Sequence, residues 1–435
     1  MNILLKNGNI IDPLSGRNDV ADVLIVDGAI ERIKAKLPES AGAKVLDCSG
    51  AVIAPGFIDM HVHAREPGFE HKETLATAMA AARSGGFSSI CCMPNTDPAI
   101  DNAAVVEFIH KKSLEVTPRL VDVYSVAAVT KGRQGKELAP MGELALAGAV
   151  GFSDDGAPVE NAEIMRRALE YSSMVRRPVI QHAEVSSLTK GGAVNEGVVA
   201  TRIGMPGIPS IAEELMIERD IRLLEYVLNS ISDETKRPLY HAAHISTAGS
   251  VELIRQAKKK KLPVTCEATP HHFTLTEEAV QTFDTNTKMN PPLRTAKDVE
   301  AIREGLRDGT IDAIASDHAP HSYDEKQVEY GSAPFGIVGL ETSVGLAITE
   351  LLHTRILSLT QLVEKLSTNP RKILQLPPVI IAEGQQANIT VFDPSREWTV
   401  DIAAFQSKSG NSPFQGRVLK GKATAVIGNG SIFVG

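Results

Sequence analysis

Cysteine is scarce in this chain, with four residues among 435. The spacing of these cysteines does not include the two-residue gap that a zinc knuckle or a redox pair requires. They are Cys48, Cys91, Cys92 and Cys266. A cysteine-based metal or redox motif is therefore excluded, and we expect four buried thiols in a reducing cytoplasm.

Long apolar runs and an excess of positive charge are also missing. The first residues, MNILLKNGNIIDP, include a turn-forming Asn-Gly pair, so we expect neither a signal peptide nor a membrane helix. The net charge is −8, and the one lysine cluster, residues 258–261, follows an apolar helical pattern that is typical of a solvated helix end. Neither nucleic acid nor a membrane is therefore expected as a partner.

Apolar residues make up 43% of the chain, which is enough for a substantial core. Both ends contain short alternating runs, such as ADVLIVDGAIERI and ANITVFDP, that are broken by Gly, Asn and Pro and predict strands. We expect residues 1–54 and 378–435 to build one small β-sandwich domain together. Residues 55–377 would then form a second domain.

Between these ends, eight short apolar runs alternate with helical patterns, which is typical of βα units with a parallel sheet. The runs cover residues 56–63, 88–93, 121–129, 149–154, 178–182, 239–245, 264–268 and 312–316. Helices are predicted between most of them, for example over residues 73–84 and 211–228. The pattern predicts an α/β fold with a TIM-like (β/α)8 barrel, whose chemistry collects at the C-terminal strand ends.

The first of these runs ends in DMHVH, and the two-residue period of a strand directs His61 and His63 to the same face. Such a pair alone is as compatible with core polarity as with metal binding. Further candidate ligands follow four other runs: Asp154 or Asp155, His182, His244 and Asp317. Six ligands exceed the needs of one tetrahedral site, so the sequence predicts two divalent ions, such as zinc, that share a carboxylate.

Seven motifs in order resemble the dihydroorotase family of the amidohydrolase superfamily. They are GFIDMHVHAREPG, CCMPNT, GFSDDG, QHAE, HISTAGS, MNPPLR and IASDHAPH. Near the C-terminus, GQQANITVFDP and SKSGNSPFQG also resemble family sequences, so the resemblance covers nearly the whole chain. It implies a cyclic amidohydrolase of pyrimidine biosynthesis that reversibly opens dihydroorotate to N-carbamoyl-L-aspartate.

The resemblance implies two zinc ions per subunit. It assigns one zinc to His61, His63 and Asp317, and the other to His182 and His244. It also favours Asp155 over Asp154 as the bridge, with Asp154 turned away, and His244 over its neighbour His241.

Many relatives bridge their metals with a carbamylated lysine after the fourth strand. This chain has no lysine between Lys136 and Lys190. The available residues therefore leave a carboxylate as the bridge, and the chain resembles the aspartate-bridged branch of the family.

The resemblance further implies a site for the substrate carboxylate. Arg65, two residues after His63, offers a planar pair of donors for bidentate binding, although an isolated arginine is as well explained by a salt bridge. The other implied substrate contacts are Asn95, Asn290, His321, Pro334, Phe335 and Gly336. Asp317 is implied to be catalytic, taking a proton from the attacking water and delivering it to the departing ring nitrogen.

Two other functions are compatible with parts of this pattern. One is hydrolysis of another cyclic amide, such as a hydantoin or allantoin, against which Arg65 argues. The other is a non-catalytic structural partner of aspartate carbamoyltransferase, against which the complete ligand set argues. We expect the chain to form a homodimer. Association with aspartate carbamoyltransferase is also compatible with an active enzyme. Residues 321–332 are a candidate for a lid that closes over the substrate.

Overall fold

The computed structural model describes residues 2–39, 42–231 and 237–435. The strands are β1 (Ile3–Asp12), β2 (Arg17–Val26), β3 (Ala29–Lys34), β4 (Lys44–Asp47), β5 (Val52–Pro55), β6 (Phe57–Val62), β7 (Phe87–Cys92), β8 (Asp122–Ala127), β9 (Gly151–Phe152), β10 (Val179–Gln181), β11 (Val194–Asn195), β12 (Gly207–Ile208), β13 (Tyr240–Ala242), β14 (Val264–Ala268), β15 (Ala313–Ile314), β16 (Ile389–Thr399), β17 (Val418–Gly428) and β18 (Ser431–Val434).

The helices are α1 (Leu75–Gly85), α2 (Ala103–Leu114), α3 (Met141–Leu146), α4 (Ala162–Val175), α5 (Ser186–Thr189), α6 (Val198–Ile203), α7 (Ile211–Ser230), α8 (Ala248–Lys259), α9 (Pro270–Thr274), α10 (Ala296–Asp308), α11 (Tyr323–Lys326), α12 (Leu340–Ala347), α13 (Leu359–Val363) and α14 (Asn369–Ile373). Short 3-10 turns occur at Lys131–Arg133, Glu277–Thr282, Thr285–Thr287 and Ile402–Ala404, and wider π turns at Ile348–Leu352 and Glu364–Thr368.

Eight parallel strands form a nearly closed barrel in the order β6-β7-β8-β9-β10-β13-β14-β15. A bridge between Val62 and His318 joins the first strand to the chain that follows the last, and the His63 amide donates to the His318 carbonyl at 2.8 Å. Seven of the eight predicted runs contain one of these strands and the run 88–93 overlaps β7, which begins one residue earlier, so the predicted barrel is confirmed.

The crossover helices begin and end where local sequence signals place them. Thr74 caps α1 with a reciprocal bond to Thr77, and Gly86 ends that helix with φ at 97°, a conformation that glycine adopts without a Cβ clash. The helices predicted over residues 73–84 and 211–228 are α1 and α7. The predicted lysine-rich helix end is also confirmed, because α8 ends at Lys259.

A separate mixed sheet has the order β18-β17-β16-β5-β1-β2-β3, with β4 also paired to β1. It unites both chain ends, as expected, because β5 pairs in parallel with β1 and antiparallel with β16. Its buried face includes Ile3, Ile25 and Ile427. The domain boundaries at residues 54 and 378 stay a prediction.

All four cysteines lie in the described ranges, where they are free and buried, as expected. Among the described helices, none combines the length and the apolar character that a membrane crossing needs.

Candidate active site

The predicted ligands converge at the C-terminal ends of the barrel strands. His61 lies in β6, His63 directly after it, and the remaining four lie in the first residues after other strands. These four are Asp155 after β9, His182 after β10, His244 after β13 and Asp317 after β15. All six are buried, so the barrel brings together side chains that are up to 256 residues apart between His61 and Asp317.

Asp155 lies between two pairs of histidines. Its Oδ2 is 3.3 Å from Nε2 of His61 and 3.4 Å from Nε2 of His63. Its Oδ1 is 3.5 Å from Nδ1 of His182 and 3.4 Å from Nε2 of His244. Each carboxylate oxygen therefore faces a different pair, which is the arrangement of a bridging ligand.

Asp317 lies on the side of the first pair. Its Oδ1 is 3.0 Å from Nε2 of His63 and 3.5 Å from Nε2 of His61. The centre is therefore asymmetric, because Asp317 adds a second carboxylate to the His61 and His63 pair.

Outer partners fix the orientation of three of the four rings. His61 donates from Nδ1 to Oε1 of Glu267 at 2.6 Å, and His63 donates from Nδ1 to Oδ1 of Asn95 at 2.8 Å. His182 donates from Nε2 to Oε2 of Glu184 at 2.9 Å. Because these oxygens only accept, the nitrogen that faces each of them carries a proton, and the opposite nitrogen of each ring faces Asp155.

Three buried polar atoms at this centre, Nε2 of His61, Nδ1 of His244 and Oδ1 of Asp155, have no hydrogen-bond partner among the described residues. Such atoms cost about 1–3 kcal/mol each when nothing satisfies them. The ligand atoms of His61, His63 and Asp155 lie within 4.8 Å of one another, and so do those of Asp155, His182 and His244. Imidazole and carboxylate donors suit divalent cations, so these two clusters fit a pair of metal ions that share Asp155.

The charges of the centre support this fit. Burial alone would raise the pKa of Asp155, but His61, His182 and His244 hold that pKa well below its ordinary value. Burial also opposes ionisation of Asp317, whereas His61 and His63 lower its pKa. Both carboxylates are therefore ionised at neutral pH and present negative charge to a cation.

The structure also shows the surroundings of the alternative candidates Asp154 and His241. The carboxylate of Asp154 accepts from the amide nitrogen of Thr130 at 3.0 Å and from its hydroxyl group, so it points away from the histidines. His241 contacts Thr265 at 2.9 Å, and its Nε2 lies 3.3 Å from Glu267. The geometry thus favours Asp155 and His244, the two residues that the family resemblance also favoured.

A cavity of about 210 Å³ opens above this centre. Its walls contain five of the predicted substrate contacts besides Arg65: Asn95, Asn290, His321, Phe335 and Gly336. Pro334 is not among the cavity residues, and its carbonyl instead accepts from Nζ of Lys326 at 2.7 Å.

Arg65 reaches the cavity from the loop after β6. Its Nε donates to the Pro320 carbonyl at 3.1 Å, and its Nη2 lies 3.4 Å from Nε2 of His321. Burial lowers the pKa of Arg65 to about 10, so the guanidinium stays charged at neutral pH. An arginine held by neutral groups keeps donors available for an anion.

Three residues of the site have backbone angles in the left-handed region. They are Arg65 with φ at 64°, His244 at 30° and Asp317 at 49°. Non-glycine residues in this region cost roughly 1–3 kcal/mol and cluster at functional sites. The surrounding packing therefore holds these side chains in orientations that the isolated chain disfavours.

Glu267 and Glu184 were not among the site residues predicted from the sequence. Glu267 is completely buried in β14, VTCEA, and a lone carboxylate in such an apolar strand was a usable signal. Glu184 lies in the QHAE motif two residues after His182, where strand periodicity would have placed both on one side.

Several known proteins are similar to this chain over nearly its whole length. Residues 50–247 match a family model described as dihydro-orotase-like. A dihydroorotase of Pelotomaculum thermopropionicum is 52% identical over 432 residues, which cover 99% of this chain and 98% of that protein. A dihydroorotase of Trichlorobacter lovleyi is 48% identical, with 99% of each chain covered.

Among solved structures, an L-hydantoinase of Arthrobacter aurescens superposes with a TM-score of 0.85, covering 99% of this chain and 96% of that one. Its sequence identity is 22%, so this likeness concerns the fold. The identity to the curated relatives over almost the full length, together with the paired histidine and aspartate clusters, shows that the chain belongs to the dihydroorotase family of metal-dependent cyclic amidohydrolases.

Proposed function

We propose that this member of the family catalyses the reversible ring opening of dihydroorotate to N-carbamoyl-L-aspartate, with two zinc ions per subunit. The observation that supports this most is that Asp155, which faces two histidine pairs, shares one cavity with the charged Arg65. A substrate that carries both a cyclic amide and a carboxylate matches both features.

The proposed zinc ligands divide into two sets around Asp155. One set is His61, His63 and Asp317, and the other is His182 and His244. The chemistry that such a pair of ions supplies is the activation of water at neutral pH and the polarisation of the amide carbonyl. Glu267, Asn95 and Glu184 hold the rings in the tautomers that this binding requires.

Asp317 is the proposed proton carrier. Its ionised carboxylate can accept a proton from the attacking water and then donate that proton to the departing ring nitrogen. The contact between its Oδ1 and Nε2 of His63 fixes the carboxylate at the edge of the cavity.

Arg65 is the proposed anchor for the substrate carboxylate. Asn95 uses Oδ1 to accept from His63, which leaves its Nδ2 for the substrate. The pKa of His321 is lowered to about 3 by burial and by Arg65, so a neutral ring lies beside the guanidinium. Phe335 and Gly336 would then bound the ring of the substrate, which these groups orient toward the metal centre.

The decisive experiment compares two cyclic amides on protein with a measured zinc content. Ring opening of dihydroorotate and of an unsubstituted hydantoin is followed by ultraviolet absorbance, in both the native and the chelator-treated protein. We expect opening of dihydroorotate that is lost with the metal and restored by zinc. Opening of the hydantoin alone would show that the substrate assignment is wrong.

We also propose a role in pyrimidine biosynthesis in the cytoplasm. The four free thiols support this location, because the cytoplasm is reducing.

A homodimer is the proposed assembly, since Leu146, Met174 and Tyr226 expose 91%, 70% and 62% of their surface on helices that pack side by side. Light scattering tests the dimer. Co-elution with aspartate carbamoyltransferase tests whether that enzyme is a partner.

A further inference from the structure

The C-terminal motif SKSGNSPFQG has no part in the chemistry proposed above, although it contacts the cavity wall. Residues 407–412 lie between β16 and β17, outside the barrel in sequence. The Lys408 amide donates to Oε1 of Glu73 at 3.1 Å, and Oγ of Ser409 donates to the Lys72 carbonyl at 2.8 Å. This segment is therefore docked on the loop that follows the first barrel strand.

Asn411 connects the same segment to the loop after the last barrel strand. Its Oδ1 accepts from the His321 amide at 3.1 Å, and its Nδ2 donates to the carbonyls of Ala319 at 3.0 Å and Gly336 at 3.2 Å. The residue is 5% exposed, and its side chain uses one acceptor and both donors. All three of its partners line the cavity.

Asn411 bonds to the residues on both sides of Pro320, the residue whose carbonyl holds Arg65. Pro320 lies between Ala319 and His321, and its carbonyl accepts from Nε of Arg65. The second guanidinium contact is with the ring of His321 itself. The position of Arg65 therefore depends on a short loop whose two ends are both bonded to Asn411.

We propose that Asn411 is a positioning residue for recognition of the substrate carboxylate, acting through the 319–321 loop on Arg65. It makes the C-terminal segment part of the substrate site without contact to the reacting atoms. This inference rests on the role of Arg65 in the proposed function.

The test is Asn411→Asp, which keeps the shape and the acceptor but removes both donors and places a carboxylate against two carbonyls. We expect the KM for dihydroorotate, and the Kd for N-carbamoyl-L-aspartate measured by calorimetry, to rise about tenfold, as the loss of two hydrogen bonds implies. The kcat and the content of two zinc ions should stay near the native values. Asn18→Asp, at an exposed position of β2, adds the same charge as a control and should change neither constant.

A double-mutant cycle with Arg65→Met separates positioning from general support of the fold. If Asn411 acts through Arg65, adding Asn411→Asp to Arg65→Met changes the Kd by less than about twofold, because coupled residues are not additive. Additive effects, or a parallel loss of zinc and kcat, would overturn the proposal. Asn411→Ser carries the same expectations if the aspartate variant does not fold.

Calorimetry also separates this inference from the proposed function. A protein that binds N-carbamoyl-L-aspartate without turning over dihydroorotate would contradict the proposed function, while the non-additive cycle in Kd would still support the role of Asn411. Native protein that turns over dihydroorotate with an unchanged Kd in Asn411→Asp would contradict the role of Asn411 alone.

Discussion

His61 Nδ1 lies 2.6 Å from Oε1 of Glu267, which is completely buried at the end of the seventh barrel strand. Burial opposes ionisation of Glu267, but His61 and His241 lower its pKa to about 2. An ionised carboxylate behind the ring directs Nε2 of His61 toward Asp155 and Asp317. The first histidine of the site is thus oriented by a strand that lies next to the closure of the barrel.

Glu267→Gln should weaken zinc binding. The amide keeps the shape but loses the charge that holds the ring, and the loss of such an outer partner lowers metal affinity by about 10- to 100-fold. Competition with a chromogenic chelator measures the affinity. Glu300→Gln, at an exposed position of α10, is the matched control, and equal affinities in both variants would contradict the role of Glu267.

The neighbouring aspartates provide a second test. Asp155→Asn should reduce the zinc content below two per chain, because each oxygen of this carboxylate faces one histidine pair. Asp154→Asn should keep both ions and lower only the thermal stability, because Asp154 bonds to Thr130. Metal analysis of both purified variants measures their zinc content. If Asp154→Asn lost zinc and Asp155→Asn kept it, Asp154 would be the bridging residue.

Asp317→Asn tests the proton carrier. An amide cannot take up the proton, so we expect turnover to fall by at least about a hundredfold, the lower range for a general base. Much of the zinc should remain, because His61, His63 and Asp155 are intact. Near-native turnover would remove Asp317 from the mechanism.

Arg65→Met removes the proposed carboxylate anchor while it preserves much of the volume. We expect kcat/KM for dihydroorotate to fall by roughly 10- to 100-fold, mainly through KM, because a charged hydrogen bond is worth about 1.5–3 kcal/mol. Steady-state kinetics at fixed zinc content measure the change. A KM equal to that of the native protein would count against the assignment.

Glu341 predicts a pH dependence of stability away from the metal centre. Burial raises its pKa to about 7, well above the value near 4.3 of an unfolded glutamate. The protonated form therefore stabilises the fold at low pH, and this contribution is lost as the pH rises through about 7. Glu341→Gln should gain in Tm relative to the native protein between pH 5 and pH 8. If the difference in Tm between the variant and the native protein stayed the same from pH 5 to pH 8, Glu341 would not titrate as described.

Most of the barrel could be predicted because each strand is a short apolar run of its own. The stretch from Gly56 to His63 identifies β6 by its composition and period, and each of the other seven runs identifies its own barrel strand in the same way. The extent of the strands was less predictable. β9 has two residues, Gly151 and Phe152, because pairing with its two neighbours, which no local pattern shows, sets its length.

The sequence by itself determined the types of the candidate ligands and their places at strand ends, since strand period and chain order are local properties. The absence of lysine between Lys136 and Lys190 likewise restricted the bridge to a carboxylate. Tertiary structure decided which oxygen of Asp155 faces which histidines, and it brought Glu267 behind His61 and Asn411 behind the Arg65 loop. These contacts join residues from 27 positions apart, between Asp155 and His182, to 206 positions apart, between His61 and Glu267, so they exist only once the barrel closes and the C-terminal segment docks on it.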